Sequence, residues 1–200
     1  MWDERYGQEG FAYGTEPNDF LVEVADRIPA GPVLCLAEGE GRNAVFVAAR
    51  GHEVLAVDQS PVGLEKARRL AVARGVAIQT HASDLAAFVF ERGRYAGIVS
   101  IWGHLPPAVR KVVHGKCVEA LMPGGVMILE AYTPDQVGRG TGGPPERAFC
   151  MSAATLRDEL GGLDFEILVE RERHVAEGKY HNGSSLVVQM VARKPQLSDS

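Results

Sequence analysis

From Val33 onward, short apolar runs alternate with longer stretches in which apolar residues recur at helical spacing. The runs near 33–37, 53–57, 76–80, 95–101 and 125–131 are largely continuous rather than strictly alternating, which predicts strands buried on both faces. Between them, 42–50, 61–74 and 107–122 read as helices. Ser60 before Pro61 supplies an N-cap followed by a first-turn proline, and Gly75 stops that helix. Upstream, the segment 19–28 places apolar residues at 20, 21, 24 and 28, one face of a further helix. Toward the C-terminus the pattern changes, because 165–173 and 184–193 are strand-like with only a short connection, which predicts an antiparallel pair. The pattern therefore predicts an α/β fold with seven strands, mostly parallel, helices on both faces and an antiparallel strand near one edge.

The first strand feeds a glycine turn that opens a helix, Leu36-Ala37-Glu38-Gly39-Glu40-Gly41-Arg42-Asn43. Without side chains at Gly39 and Gly41 the backbone can turn tightly and approach a ligand, and the helix N-terminus adds unpaired N–H groups. The second strand ends in Asp58, where a carboxylate can accept both hydroxyls of a ribose. Gly39-x-Gly41-x-x-Ala44 followed by Asp58 is a loose dinucleotide fingerprint, so an NAD(P)-dependent oxidoreductase is one reading. Two further signals follow in order: Ser83-Asp84-Leu85 closes the third strand, and Leu121-Met122-Pro123-Gly124-Gly125 precedes the fifth.

This order resembles class I S-adenosylmethionine-dependent methyltransferases over nearly the whole chain. Trp2-Asp3-Glu4-Arg5-Tyr6, Tyr13-Gly14-Thr15-Glu16-Pro17-Asn18 and Tyr180-His181 look like the small bacterial branch related to tellurite-resistance and thiopurine methyltransferases. The resemblance implies a Rossmann-like sheet with the last strand inserted beside the fifth, and S-adenosyl-L-methionine as cofactor. It also implies roles for individual residues. Gly39, Gly41 and Gln59 line the cofactor, Asp58 binds its ribose, and Ser83, Asp84 and Leu85 hold the adenine. Ser100 and Ile101 form the floor under the methionine portion. Cys35 and Ala37 depart from the family pattern, standing where an Asp and the first Gly usually stand, as does Ala96 after Tyr95. With the acid at 35 missing, Glu38 or Glu40 is expected to contact the methionine ammonium.

Methyl transfer from a sulfonium needs alignment and exclusion of water more than a strong acid, so neither a triad nor a metal cluster is required. His104 and, as the resemblance implies, His181, which by residue type alone sits in a turn, are the candidate catalytic groups, and Tyr13, Tyr132 and Arg139 the candidate acceptor-binding ones. A lone histidine such as His104 also reads as a structural hydrogen-bonding residue, and Arg139 in its glycine loop as a solvated one. In Ser100-Ile101-Trp102-Gly103-His104-Leu105-Pro106-Pro107, Leu105 and Ala108 flank the prolines. Enzymes that methylate base amino groups carry a different pattern there. The expected acceptor is a small molecule, either a thiol or a selenium or tellurium species, with small-molecule O- or N-methylation as the alternative. A cofactor-binding protein that has lost activity is a third reading.

Composition narrows the partners. The formal charge is −5, from 26 acids against 21 Lys plus Arg, so no long-range field draws the chain to nucleic acid. Cys35, Cys117 and Cys150 are three, widely spaced, and lack zinc or redox spacing, which fits reduced thiols in cytoplasm; no metal is expected. No leader-like or membrane-spanning segment is read from the chain, and a monomer or homodimer is expected. Residues 1–200 read as one methyltransferase domain: an N-terminal arm and helix over 1–30, a core over 31–194 and a flexible tail over 195–200. The arm, with Trp2, Tyr6, Phe11 and Tyr13 among its glycines, is either a cofactor lid or a docked surface segment. The loop Gly138–Pro145 lies after a strand's carboxyl end, where open α/β sheets bind ligands.

Overall fold

The computed structural model describes residues 2–196; most of the predicted tail, 197–200, lies outside the described residues. Seven strands form one sheet: β1 (Val33–Leu36), β2 (Val54–Asp58), β3 (Gln79–Ala82), β4 (Tyr95–Ile101), β5 (Leu121–Tyr132), β6 (Asp164–Glu177) and β7 (His181–Arg193). Their order is β3-β2-β1-β4-β5-β7-β6. The first five pair in parallel, while β7 runs antiparallel between β5 and β6. The expected architecture, including insertion of the last strand beside β5, is the observed one.

The residues of β1 alternate between two cores. Leu34 and Leu36 join the cluster under α5 (Pro107–Ala120) and α6 (Ala153–Glu159), whereas Val33 and Cys35 face α2 (Asp19–Val24), α3 (Arg42–Ala49) and α4 (Pro61–Ala73). This period of two, with apolar residues at every position, is what a strand covered on both faces requires. Ser60 caps α4 through the Gly63 N–H, with Pro61 in the first turn. A short helix α1 (Trp2–Tyr6) opens the chain.

Several elements depart from the sequence reading: the last two strands are longer, β6 running on to Glu177 and β7 beginning at His181. The third strand begins at Gln79 rather than 76, because Val76 and Ile78 turn down onto Leu70 and Ala71 and act as anchors of the loop after α4. The fifth starts at Leu121, before the Pro-Gly-Gly turn. The extra residues are absorbed as a bulge between the Tyr95–Leu121 and Gly97–Val126 pairs.

The strand order reverses between β1 and β4, and the crevice outside their carboxyl ends is where open α/β sheets bind ligands. The residues that follow these two strands, Ala37 and Trp102, are the non-glycine residues with positive φ among those described, at 50° and 58°. Such conformations cost about 1–3 kcal/mol and gather at functional sites.

Candidate active site

Each wall of the crevice is built by local chemistry. Gly41, at φ 89°, starts α3 and has no side chain with which to cap it. Glu38 reaches in instead: its Oε1 accepts the N–H groups of Asn43 at 3.0 Å and Ala44 at 2.8 Å. Burial drives the Glu38 carboxyl up to about 7, against these hydrogen bonds and the Arg42 charge. Glu40 is also engaged, accepting the Ala12 N–H at 2.7 Å and the Lys66 ammonium at 3.0 Å. Both oxygens of the Glu40 carboxylate are thus engaged, and Glu38 keeps only Oε2 outside the helix cap.

Asp58 is buried, accepting the Gly39 N–H at 2.8 Å through one oxygen and the Ser60 N–H at 2.8 Å through the other. Desolvation raises its carboxyl above the ordinary value. A carboxylate offers about four acceptor positions, so two backbone donors leave it under-satisfied, as a pair of ribose hydroxyls requires. Asp84 is exposed and uses one oxygen on the Ala86 N–H. Ser83 is half-buried beside it, Gln59 is exposed beside Asp58, and the Leu85 side chain sits in the core. Ser100 and Ile101 are buried at the end of β4, and a Cβ on Gly103 would meet Ser100 Oγ at 2.8 Å. These residues fit an adenosyl cofactor: a diol acceptor, an exposed acid, and a glycine loop.

The aromatic arm closes over this loop. A Cβ on Gly39 would lie 2.6 Å from the Tyr6 hydroxyl, and one on Gly63 would lie 2.9 Å from the Tyr6 ring. Asp3 bonds Ser60 Oγ, and Lys66 binds the carbonyls of Gln8 and Gly10.

Beyond Ser100 and Ile101, Trp102 stacks on Tyr132 with centroids 4.3 Å apart. The His181 ring meets Tyr13 at 4.7 Å, Trp102 at 5.1 Å and Tyr132 at 5.3 Å. Gly142 covers this group, since a Cβ there would strike the Tyr132 hydroxyl at 2.5 Å. His181 is 8% exposed and its Nδ1 is buried with no hydrogen-bond partner. The Tyr132 hydroxyl, beside Ser185, likewise completes no hydrogen bond. Burial lowers His181 to about 3, which keeps the imidazole neutral.

His104 and Arg139 do not fit their expected roles. His104 Nδ1 lies 3.1 Å from the Trp102 carbonyl, and its Nε2 accepts the Tyr132 N–H at 3.0 Å. With both ring nitrogens committed, and burial holding it at about 4, it has no lone pair for a substrate proton. It positions Trp102 and Tyr132. Arg139 pairs with Glu172 at 2.9 Å on the surface.

Sequence reasoning passed over a buried network behind the aromatic group. Asn18 Nδ2 donates to Glu130 at 2.5 Å and Glu177 at 2.8 Å, Arg173 binds both acids, Arg42 binds Glu177, and Gln189 donates to Glu130. Of its members, Asn18 stands inside the quoted Tyr13–Asn18 motif and Arg42 inside the quoted glycine-loop stretch, but neither motif points to the acids they meet.

Residues 33–125 match the family model described as a methyltransferase domain. The chain is 28% identical over 124 residues to a 2-heptyl-1-hydroxyquinolin-4(1H)-one methyltransferase of Mycobacteroides abscessus, covering 58% of this chain and 55% of the relative. It is 30% identical over 119 residues to a demethylmenaquinone methyltransferase of Thermus thermophilus, covering 58% and 50%. The chain thus spans about half the length of the curated relatives it matches. Among solved structures, a protein from work on the conversion of a disulfide bond into a thioacetal group during echinomycin biosynthesis superposes with a TM-score of 0.75 at 19% identity, covering 99% of this chain and 92% of the other. TehB from Haemophilus influenzae gives 0.74 at 18%, covering 96% and 65%. The N-methyltransferase NodS of Bradyrhizobium japonicum, in complex with S-adenosyl-L-homocysteine, gives 0.70 at 14%, covering 98% and 97%. Over residues 33–125 the chain is thus similar to a methyltransferase domain, and its fold is that of the solved structures above.

Proposed function

We propose that this chain methylates a small soft nucleophile, a thiol or a selenium or tellurium species, with S-adenosylmethionine as methyl donor. The observation that carries the reading is His181: a neutral, buried imidazole with an unpartnered Nδ1, enclosed by Tyr13, Trp102 and Tyr132 beside the strained end of β4. When bound, the cofactor supplies an electrophilic methyl carbon and departs as S-adenosylhomocysteine.

An imidazole held near 3 is too weak a base to keep a thiol proton, so His181 orients rather than deprotonates. The acceptor enters as thiolate, its proton left in solvent. As the Nδ1–H tautomer, His181 donates a hydrogen bond to the sulfur. One sulfur electron pair forms the new S–C bond, and the electrons of the broken bond stay on the departing sulfur. The aromatic walls exclude water, which is most of what a polarisable nucleophile needs. The thioacetal chemistry named for one structural neighbour, also at sulfur, supports this reading. O-methylation of a hydroxylated ring is the second reading, favoured by the hydroxyquinolone named for one relative.

Two measurements test the proposal. Labelled S-adenosylmethionine incubated with thiols, selenite, tellurite, phenols and amines should label a thiol or chalcogen product. Transfer to a phenol alone would move the acceptor to oxygen. Calorimetry should show S-adenosylhomocysteine binding, no NAD binding, and a loss of about 1.5–3 kcal/mol for Asp58→Ala, the scale of hydrogen bonds to a charged group.

A further inference from the structure

Arg139 pairs with Glu172 at the surface, and Arg173, 5.9 Å from the Trp102 ring centroid, pairs with Glu130 and Glu177; the other cation beside the aromatic enclosure is Arg5. Its guanidinium carbon lies 4.5 Å from the Tyr180 ring centroid and 5.0 Å from that of Trp2. One N–H donates to the Tyr13 hydroxyl at 2.7 Å, and the Tyr13 ring is the one that meets His181. Arg5 is half-buried, yet none of the ion pairs among the described residues includes it.

The acids behind the enclosure and in the glycine loop are compensated. Glu177 is held by Arg42 and Arg173, Glu130 by Arg173, and Glu40 by Lys66. Arg5 thus presents, beside the enclosure, a guanidinium that no ion pair among the described residues occupies. Guanidinium carries five donors in a planar fork, and its one bond to Tyr13 leaves an edge able to take a carboxylate through two parallel hydrogen bonds. Stacking on the rings fixes the plane of the fork before a ligand arrives.

We propose that Arg5 is a specificity-determining residue that selects an acceptor bearing a carboxylate, so that the substrate class is a small mercapto-acid. The assignment of sulfur as the methylated atom rests on the function proposed above; the selection of the anion rests on Arg5. The carboxylate docks on the Arg5 fork at the mouth, and the thiolate reaches inward past Tyr13 to His181 Nδ1. A neutral thiol of equal size lacks the first of these two contacts.

The test uses 3-mercaptopropionate and 3-mercaptopropionamide, which differ in charge and hardly in shape. Binding is followed by calorimetry on protein saturated with S-adenosylhomocysteine, and methylation with labelled S-adenosylmethionine. The acid should bind, and turn over by kcat/KM, at least tenfold better than the amide. Arg5→Gln should bring that ratio close to one and Arg5→Lys should retain part of it. A variant that only loosens the arm lowers both probes together and leaves the ratio intact. A ratio near one in the natural protein, or one that survives Arg5→Gln, overturns the proposal. If neither thiol is methylated but the acid still binds preferentially through Arg5, anion selection stands and the sulfur acceptor falls. If both are methylated equally, the sulfur acceptor stands and the role of Arg5 falls.

Discussion

The indole N–H of Trp102 donates to Oε2 of Glu177 at 2.6 Å, tying the strained residue after β4 to the last residue of β6. Glu177 is in turn held by Arg42, Arg173 and Asn18, so the aromatic enclosure is anchored to a buried set of two acids and two arginines. The balance of that set decides whether Trp102 stays in place.

Glu177→Gln should therefore destabilise the fold by about 3–5 kcal/mol near neutral pH, the cost of stranding a buried charge. Burial pushes the Glu177 carboxyl up, but Arg42, Trp102 and Arg173 outweigh it and hold it below its ordinary value. A depressed carboxyl contributes stability that is present above its unfolded value and lost as pH falls through the folded one. Urea denaturation between pH 7 and pH 3 should show the gap between natural protein and variant closing in acid. Equal stabilities at pH 7 would mean that the network does not hold the fold together.

Glu38 has the opposite sign. Its carboxyl is raised by burial to about 7, so the contribution is fully present below the unfolded value and is lost as pH rises through about 7. Glu38→Gln keeps an oxygen for the Asn43 and Ala44 N–H groups and removes the charge. It should be more stable than the natural protein at pH 8, by on the order of 2–3 kcal/mol, and indistinguishable from it below about pH 4. The measurement is chemical denaturation at the two pH values without cofactor.

Glu40 joins the glycine loop to the arm through the Ala12 N–H and Lys66. If the arm is a lid, S-adenosylhomocysteine should slow hydrogen exchange and proteolysis over residues 2–16. Glu40→Ala should raise both rates in that segment while leaving the exchange of β4 and β5 unchanged. Protection of the arm that ignores ligand would make it a structural clasp.

The sheet was legible in the sequence where apolar runs are continuous, as in β1 and β4, and illegible where they are not. β3 is the largely exposed stretch Gln79-Thr80-His81-Ala82, which carries no apolar signal, while Val76 and Ile78 beside it do. On the site, the glycine loop, Asp58 and Asp84 are local motifs and could be read directly. The Glu130–Asn18–Glu177 contacts join residues 112 and 159 positions apart, and no local pattern announces them. His104 was legible as a histidine near the chemistry but not as one with both nitrogens occupied, because its partners are backbone groups of Trp102 and Tyr132.

That difference separates the two histidines by experiment. His104→Ala leaves the buried Tyr132 N–H without its acceptor and should cost about 1–3 kcal/mol of stability. Any loss of activity should follow the loss of folded protein. His181→Ala removes a ring whose Nδ1 has no partner, so its stability loss should be the smaller of the two. Its kcat/KM should fall at least tenfold, with S-adenosylhomocysteine affinity retained. Burial holds the two imidazoles at about 4 and about 3, so neither gains a proton between pH 5 and 9. The rate should therefore rise with pH along the acceptor's own ionisation and show no limb near 6.5. A limb at that pH which disappears in His181→Ala would mean that His181 takes the proton after all, and that the cofactor or acceptor opens its surroundings to water.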